Sequence, residues 1–247
     1  MTSPTSAAVV VPVKAFTAAK VRLSAALDPI ERAHLARHMA EVVLAAAAPL
    51  PAIVVCDDDE VRAWAEAAAA RVVWCPGRGL NGAVADGVAT LRADGVSMAV
   101  VAHADLPLAT RLDWVADYPG VTLVPDRRLD GTNVLVVPTE AGFRFSYGAG
   151  SFARHRTEAR VRNLSARIVR DDRLAWDVDL PADLAWPGSA GADARSSSGG
   201  LGTLPGVPVV GGRASGFGKA MGTTISSPRS WVPDPEPAPS AWRSRNP

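Results

Sequence analysis

The sequence predicts an α/β protein of three layers, a Rossmann-like arrangement in which a mainly parallel central sheet lies between helices on its two faces. Apolar runs rich in valine recur through the first 186 residues, and helical patterns separate most of them. The chain has 247 residues, 48% of them hydrophobic, enough for one substantial core. Strands that alternate with helices imply right-handed crossovers and parallel pairing, which places ligand sites at the carboxyl ends of the strands.

The first half of this pattern contains three strands and three helices. Continuous apolar runs are typical of strands that are buried on both faces. The first helix has Pro29 in its first turn, where proline is favoured, and the second is rich in alanine. The predicted elements are strands at 9–13, 52–56 and 71–74 and helices at 29–48, 58–70 and 81–93.

The second half begins with an apolar run that ends in the sequence VVAHADLP. After it, further β-branched runs predict strands, and two stretches predict helices. The predicted elements are strands at 98–102, 121–124, 133–137 and 167–169, a short helix from Thr110 and a helix at 151–160.

The composition of the chain changes sharply near Trp186. We predict a folded domain over residues 1–186 and a Gly/Ser/Pro-rich disordered tail over residues 187–247. The tail has few periodic apolar residues whose burial could offset the entropy lost on ordering.

Charge and hydropathy exclude several classes of protein. A formal charge of +1 lacks the basic excess of nucleic-acid-binding proteins, so we expect no nucleic-acid partner. No apolar run is long enough to span a membrane, and the N-terminus lacks a signal-peptide pattern, so we expect no membrane partner and a cytoplasmic location. Cys56 and Cys75 both end apolar runs and are predicted to be buried without a disulfide.

Asp105 follows the strand at 98–102 and is the first candidate metal ligand. A carboxylate at the end of a buried parallel strand can hold a hydrated divalent cation against phosphate oxygens. The alternative is that Asp105 only caps the next helix, which is the commoner use of such a residue.

A basic loop, residues 14–22, follows the first strand and contains Lys14, Lys20 and Arg22. The G-x-G-x-x-G turn of a dinucleotide-binding protein is absent, so side chains rather than backbone would have to supply the positive charge. Three cations in one loop at a strand end suit a triphosphate. The alternative is a solvated surface loop.

The sequence PGRGLNGAVADG follows the third strand. Gly79 lets the backbone approach a flat ligand, and Asn81 offers a donor and an acceptor to a base or ribose, although an asparagine at a helix N-cap is equally ordinary. His34 and His38 have the i, i+4 spacing of metal ligands, but they lie among charged residues on what is predicted to be a solvated helix face.

Six ordered segments together carry a resemblance to a known family. They are Lys14 to Leu23, GLNGA, HADLP, PDRRLDGTNVL, YGAGSFARH and DVDLPADL. The set resembles the 2-phospholactate or phosphoenolpyruvate guanylyltransferases, which make the GTP-activated intermediate of coenzyme F420, a deazaflavin. These enzymes share the nucleotidyltransferase fold of the molybdenum-cofactor guanylyltransferases. The resemblance covers about the first 186 residues and leaves out the tail.

The resemblance implies that GMP is transferred from GTP to the phosphate of phosphoenolpyruvate or 2-phospho-L-lactate. Enolpyruvoyl- or lactyl-2-diphospho-5'-guanosine and diphosphate would form, and the guanosine product would pass to the downstream transferase of the deazaflavin pathway. It also implies that Asp105 and Asp177 bind Mg²⁺, with Asp179 as a weaker candidate. The competing role of Asp179 is to cap the turn that begins at Pro181.

The remaining site residues implied by the resemblance fall into three groups. Their predicted roles are catalysis (Lys14, Lys20, Arg22), nucleotide binding (Gly79, Asn81, Lys14, Lys20) and binding of the acceptor acid (Thr132, Gly148, Ser151). Ser151 lies near a helix N-terminus, which favours anions, but it could be only a helix cap. Arg154 could add positive charge near the acceptor, and His155 could do the same or be a packed histidine.

Two departures from the family pattern leave the acceptor open: the acidic CDDDE after the second strand, and small residues in the YGAGS loop. One alternative function is nucleotidyl transfer to a sugar phosphate or molybdopterin, although the glycine-rich first loop of those enzymes is absent. Another is a metal-dependent glycosyltransferase, because DVD resembles a D-x-D motif. A third is a nucleotide-binding module without activity, which the presence of both aspartates and the basic loop disfavours.

Overall fold

A computed structural model describes residues 6–185 and contains one seven-stranded sheet with helices on both faces. The strands are β1 (Ala7–Pro12), β2 (Ala52–Cys56), β3 (Arg71–Trp74), β4 (Met98–Ala102), β5 (Val121–Pro125), β6 (Thr132–Pro138) and β7 (Ala166–Ile168), in the order β3-β2-β1-β4-β6-β5-β7. The helices are α1 (Pro29–Ala46), α2 (Asp59–Ala67), α3 (Gly79–Ala93) and α4 (Ser151–Val161). The predicted three-layer α/β class is confirmed.

The sheet is mainly parallel, with one reversed strand. β3, β2, β1 and β4 pair in parallel, and β5 pairs in parallel with β7, whereas β6 is antiparallel to both β4 and β5. The link from β5 to β6 is a tight turn, in which the carboxylate of Asp126 accepts hydrogen bonds from the backbone N–H groups of Asp130 and Gly131. A turn this short can join only antiparallel neighbours, because parallel strands need a long crossover.

The alternating side chains of β1 build two separate cores. Val9 and Val11 pack with α1 and α2 on one face, and Val10 packs with α3 on the other. The close fit of α3 depends on Gly87, since a Cβ there would lie 2.7 Å from Val55 and 2.9 Å from Val10. Burial on both faces explains why these strands are continuous apolar runs in the sequence.

Several predicted helix boundaries are corrected. α1 ends at Ala46 rather than 48, because Pro49 follows and the residue before a proline avoids helical geometry. Asp58 is the N-cap of α2 rather than its first residue, and α2 ends at Ala67 rather than 70. α3 begins two residues earlier than predicted, and the short helix predicted from Thr110 is a 3-10 turn, Asp113–Ala116.

Cys56 and Cys75 are buried and free, as predicted. They end neighbouring strands but belong to the cores on opposite faces of the sheet, which accounts for the absence of a bond between them. Within residues 6–185, no helix is both long and apolar enough to cross a bilayer. The predicted tail, residues 187–247, lies outside the described residues.

Candidate functional site

Three segments distant in sequence meet at the carboxyl edge of the sheet. The ammonium group of Lys20, in the basic loop after β1, donates to Oδ2 of Asp105 after β4 at 2.7 Å. It also donates to Oδ1 of Asp179 at 3.0 Å. The backbone N–H of Val178 donates to the carbonyl of Asp105 at 3.3 Å and joins the second and third segments. Asp105, Asp177 and Asp179 are called the carboxylate cluster below.

The basic loop is anchored by two buried side chains. Phe16 packs edge-on against Trp64 of α2, with ring centroids 5.4 Å apart. Leu23 is fully buried in a small core that also contains Val178. Between them, Lys20 has a left-handed backbone (φ 54°) and precedes a 3-10 turn, Val21–Leu23. The fixed ends of the loop direct the Lys20 side chain to the carboxylate cluster, where only 10% of it is exposed.

Asp183, which the sequence analysis did not single out, organises the segment that carries Asp177 and Asp179. Its carboxylate is fully buried and accepts the N–H groups of Asp179 and Leu180 at 2.9 and 2.8 Å. It also forms ion pairs with Arg127 and Arg128 of the turn between β5 and β6. Asp183, and not Asp179, therefore accepts the hydrogen bonds that stabilise the turn at Pro181, so the alternative role of Asp179 as its cap is wrong. The sequence signal was an acidic residue at the third position of a turn that begins with proline.

The charges of the carboxylate cluster are only partly neutralised. Burial would raise the pKa of Asp105, but the ammonium group of Lys20 outweighs it and the pKa is lowered. For Lys20 the effect of burial is likewise outweighed, by Asp105 and Asp179, and its pKa is raised. Burial and the neighbouring charge of Asp105 raise the pKa of Asp177 to about 6. Asp177 therefore lacks the compensating cation that Asp105 has.

Two oxygens of the cluster suit a divalent cation. Oδ1 of Asp105 and Oδ1 of Asp177 are buried without a hydrogen-bond partner among the described residues. Unpartnered carboxylate oxygens in neighbouring segments are the ligands that Mg²⁺ prefers. Within residues 6–185, no three His, Cys, Asp or Glu side chains, those of the carboxylate cluster included, are arranged to hold a metal ion by themselves. A cation bound to Asp105 and Asp177 would therefore need further ligands, such as phosphates and water. His34 is exposed and His38 lies near Glu41 on the outer face of α1, as expected for a solvated face.

The other cations of the basic loop are more accessible than Lys20. Lys14 is exposed, and no hydrogen bond or ion pair among the described residues involves it. Partial desolvation and the charge of Lys20 lower the pKa of Lys14. Arg22 is mostly exposed and lies 3.4 Å from Asp179. Together these side chains leave positive charge open to solvent beside the carboxylate cluster.

The loop before α3 contacts the loop before α4. Gly79 opens α3 with a left-handed backbone (φ 60°) and open space around its Cα. Arg78 is the N-cap, so the alternative in which Asn81 caps the helix is wrong. Instead, Oδ1 of Asn81 accepts the backbone N–H of Tyr147 at 2.7 Å. This hydrogen bond directly joins α3, which carries the predicted nucleotide-binding residues, to the loop before α4, which carries predicted acceptor-binding residues.

The predicted acceptor residues converge on a buried hydrogen-bond network. His155 is fully buried, and its Nε2 accepts the backbone N–H of Ser146 at 3.0 Å. Its proton must therefore be on Nδ1, which lies 3.1 Å from Oγ1 of Thr132 and donates to it. Burial and the charge of Arg154 lower the pKa of His155 to about 4. His155 is thus a neutral, packed histidine, as one of the two interpretations predicted.

Gly148 and Ser151 lie beside this network at the start of α4. Gly148 has φ 108°, a conformation that side chains rarely adopt. Ser151 is the first helical residue and Gly150 the N-cap, so Ser151 does not cap the helix, and its hydroxyl lies 3.5 Å from that of Thr132. Arg154 is exposed and donates to the backbone carbonyls of Ser146 and Ala149, so it holds the loop. These partners are neutral, and the positive charge that the sequence analysis suggested for Arg154 stays a prediction.

His103 and Tyr147 lie between the two sides and were missed from the sequence. Their ring centroids are 4.8 Å apart, and Nε2 of His103 and the hydroxyl of Tyr147 are buried without a hydrogen-bond partner among the described residues. Burial lowers the pKa of His103 and raises that of Tyr147. Both groups are therefore neutral at pH 7. Both belong to segments that carry the family resemblance, HADLP and YGAGSFARH, but local sequence does not show that the two rings meet.

The fold is shared with solved nucleotide-using transferases. A nucleotide-diphospho-sugar transferase from Desulfovibrio desulfuricans G20 has a TM-score of 0.58 at 19% identity, covering 78% of this chain and 91% of that one. A nucleotidyl transferase from Methanothermobacter thermautotroptrophicus has a TM-score of 0.53 at 17% identity, covering 73% and 94%. At these identities the likeness shows the fold alone.

Other proteins share more of the sequence than these solved structures do. The phosphoenolpyruvate guanylyltransferase of Sphaerobacter thermophilus is 39% identical over 184 residues, which is 71% of this chain and 89% of the relative. The phosphoenolpyruvate guanylyltransferase of Rubrobacter xylanophilus is 35% identical over 185 residues, which is 71% of this chain and 90% of the relative. The 2-phospho-L-lactate guanylyltransferase of Halorubrum lacusprofundi is 38% identical over 67% and 77%. The family described as "Guanylyl transferase CofC like" matches residues 7–195, and this chain belongs to that guanylyltransferase family.

Proposed function

We propose that this chain transfers GMP from GTP to the phosphate of phosphoenolpyruvate and releases diphosphate, with 2-phospho-L-lactate as the second candidate acceptor. The observation that carries the proposal is the pair of unpartnered carboxylate oxygens on Asp105 and Asp177 beside a cationic loop. The names of the relatives support both acids, since phosphoenolpyruvate and 2-phospho-L-lactate guanylyltransferases are both among them.

The reaction needs positioning and charge more than it needs a protein nucleophile. An oxygen of the acceptor phosphate attacks the α-phosphorus of GTP and forms a new P–O bond. The bond from the α-phosphorus to the oxygen that bridges to the β-phosphate breaks in line with the attack, and its electron pair leaves with diphosphate. The guanosine diphosphate ester of the acid is the product.

Positive charge near the leaving diphosphate would come from the basic loop. Lys14 and Arg22 are open to solvent beside the carboxylate cluster, and Lys20 lies within it. Asp105 and Asp177 would hold Mg²⁺, which when bound neutralises charge on phosphate oxygens. Charge that is neutralised most strongly as diphosphate departs lowers the barrier rather than only tightening binding.

The two substrates would lie on opposite sides of the Asn81–Tyr147 hydrogen bond. Gly79 and Asn81 would face the nucleoside of GTP, next to the open space at the start of α3. The acceptor acid would lie at the start of α4, where the positive end of the helix dipole favours anions, although the N–H groups of Ser151 and Phe152 already donate to the carbonyls of Gly148 and Asp130. Its proposed ligands are Thr132, Gly148 and Ser151.

The choice between the two acids depends on the carbon that bears the phosphate. That carbon is planar in phosphoenolpyruvate and tetrahedral in 2-phospho-L-lactate, so a small change in the pocket could select one of them. The small residues of the YGAGS loop, residues 147–151, would lie close to this carbon if the acid binds at the start of α4. The product would be the substrate of the downstream transferase that builds the deazaflavin coenzyme F420.

Diphosphate release tests the proposal. The full chain is incubated with Mg²⁺ and GTP, with phosphoenolpyruvate, 2-phospho-L-lactate or glucose 1-phosphate as acceptor, and the product is identified by mass spectrometry. We expect turnover with one or both acids, little turnover when ATP or CTP replaces GTP, and none when the acid is omitted. Turnover with the sugar phosphate alone would contradict the proposal.

A further inference from the structure

Lys20 forms ion pairs with two of the three carboxylates of the cluster. Its ammonium group has three hydrogens, and two of them are directed at Asp105 and Asp179. With 10% of the side chain exposed, the pair is shielded from the solvent screening that weakens surface ion pairs. Lys20 therefore acts as the resident counter-ion of the carboxylate cluster.

The two oxygens of Asp105 face different partners. Oδ2 accepts from Lys20 at 2.7 Å, whereas Oδ1, like Oδ1 of Asp177, is buried and has no hydrogen-bond partner within residues 6–185. A divalent cation bound to the two Oδ1 atoms would share the Asp105 carboxylate with the ammonium group. The like charges would then lie within a few ångströms in a partly buried site, where their repulsion is strong.

A triphosphate can relieve this conflict. It brings several negative oxygens to the side of the cluster where Lys14 and Arg22 are open to solvent. Lysine is a compact charge on a flexible stem, so Lys20 can change partner without the loop moving, which the bidentate geometry of an arginine would hinder. The ends of the loop stay fixed by Phe16 and Leu23.

We propose that Lys20 is an exchangeable counter-ion, which leaves Asp105 and Asp179 for the triphosphate when the nucleotide arrives and so makes metal binding depend on nucleotide binding. The inference rests on the proposed function, because it assumes that the site takes a metal together with a nucleoside triphosphate. Lys20 is then a positioning residue for the metal as well as a ligand of GTP.

Mn²⁺ binding without nucleotide tests the exchange, and it is read from the electron paramagnetic resonance signal of free Mn²⁺. The full chain is compared with Lys20→Met, which removes the charge but keeps most of the stem. We expect Lys20→Met to bind Mn²⁺ about tenfold more tightly than the unsubstituted chain, because a repelling charge has gone. Adding guanosine 5'-(α,β-methylene)triphosphate should tighten Mn²⁺ binding in the unsubstituted chain and reduce the difference between the two proteins.

Two further variants control the comparison. Arg71→Met removes an exposed charge at the start of β3, at the opposite edge of the sheet from Asp105, so its affinity for Mn²⁺ without nucleotide should change by less than about twofold, as expected for a distant, screened charge. Lys20→Arg keeps the charge and should bind Mn²⁺ as weakly as the unsubstituted chain. Circular dichroism of each variant confirms that it is folded.

Equal or weaker Mn²⁺ binding by a folded Lys20→Met would overturn the inference. This outcome is distinct from failure of the proposed function. If the unsubstituted chain released no diphosphate with any acid, the proposed function would fall, whereas the comparison without nucleotide would still decide whether Lys20 competes with the metal.

Discussion

Asp105 and Asp177 lie in the same cluster but contribute to stability with opposite signs. The pKa of Asp105 is lowered by Lys20, so its charge stabilises the fold above pH 4 and that stability is lost as the pH falls. The pKa of Asp177 is raised from 3.8 to about 6, so the folded chain binds its proton more tightly than the unfolded chain does. Stability from this group is present below about pH 4 and is lost as the pH rises through 6.

We therefore expect Asp177→Asn to be more stable than the unsubstituted chain at pH 7 in the presence of a chelator. The gain should be roughly 1 to 3 kcal/mol, since each pKa unit is worth about 1.4 kcal/mol, and it should shrink towards pH 4. Urea unfolding at both pH values measures it. Asp105→Asn is the matched contrast and should lose stability at pH 7, because Lys20 loses the shorter of its two ion pairs and keeps only the one with Asp179. Both variants should lose diphosphate release.

Lys14 is the loop cation with no partner among the described residues, so its substitution should act on GTP rather than on the fold. We expect Lys14→Ala to reduce kcat/KM for GTP roughly ten- to a hundredfold, as for the loss of one charged hydrogen bond to phosphate. The KM for the acceptor acid should change much less. Steady-state kinetics with each substrate varied in turn measures this, and Arg37→Ala on the outer face of α1 controls for the loss of a surface charge. A change in the KM for the acceptor acid alone would show that the basic loop binds the acid rather than GTP.

The sequence predicted all seven strands of the sheet. The five inner strands are long apolar runs that are buried on both faces, whereas the edge strands β3 and β7 are short and partly exposed and were indicated by their β-branched residues. The sequence could not predict the direction of β6, since a strand buried on both faces shows the same run of valines whichever way it runs. The contact of Lys20 with Asp105 also needed the structure. It depends on β1 and β4 being neighbours, with Val9 beside Val100, although they are separated by two strands in the chain order.

Asp183 was missed because its partners, Arg127 and Arg128, lie in a turn that is distant from it in the sequence. Local sequence shows an acidic residue two positions after Pro181, which indicates a capped turn, but it does not show that Arg127 and Arg128 come back to the same carboxylate. The ring of Trp176 lies 4.2 Å from the guanidinium of Arg127 and packs against this group of ion pairs. The turn between β5 and β6 thereby holds the segment that carries Asp177.

We expect Asp183→Ala to lower the free energy of unfolding by about 3 to 5 kcal/mol, because it leaves two arginines and two backbone N–H groups without their buried partner. Asp113→Ala is the matched control. Asp113 pairs with Arg111 at the surface, where solvent screening leaves an ion pair with little effect on stability. Chemical denaturation of both variants measures the difference, and equal losses would show that Asp183 is not an organising residue.

In the whole molecule, the candidate site lies where the order of the strands reverses. The chain builds outward from β1 through β2 to β3 and then returns to place β4 on the other side of β1. Ligands of open α/β sheets bind in the crevice beyond such a switch point. Lys20 follows β1 and Asp105 follows β4, so the topology itself brings the cation and the carboxylate together.

This architecture contains every candidate site residue within residues 6–185, and the family match ends at residue 195. The remaining chain is rich in Gly, Ser and Pro and has few periodic apolar residues. We therefore expect a chain that ends at Arg195 to keep its unfolding midpoint, its turnover number and the KM for GTP, because a segment without its own core adds little to another. Thermal unfolding and diphosphate release compare it with the full chain. A chain that ends instead at Pro187 separates the last matched residues from the tail. Loss of folded protein in the longer variant would mean that residues 196–247 stabilise the domain, whereas unchanged folding with a raised KM would mean that they contribute to substrate binding.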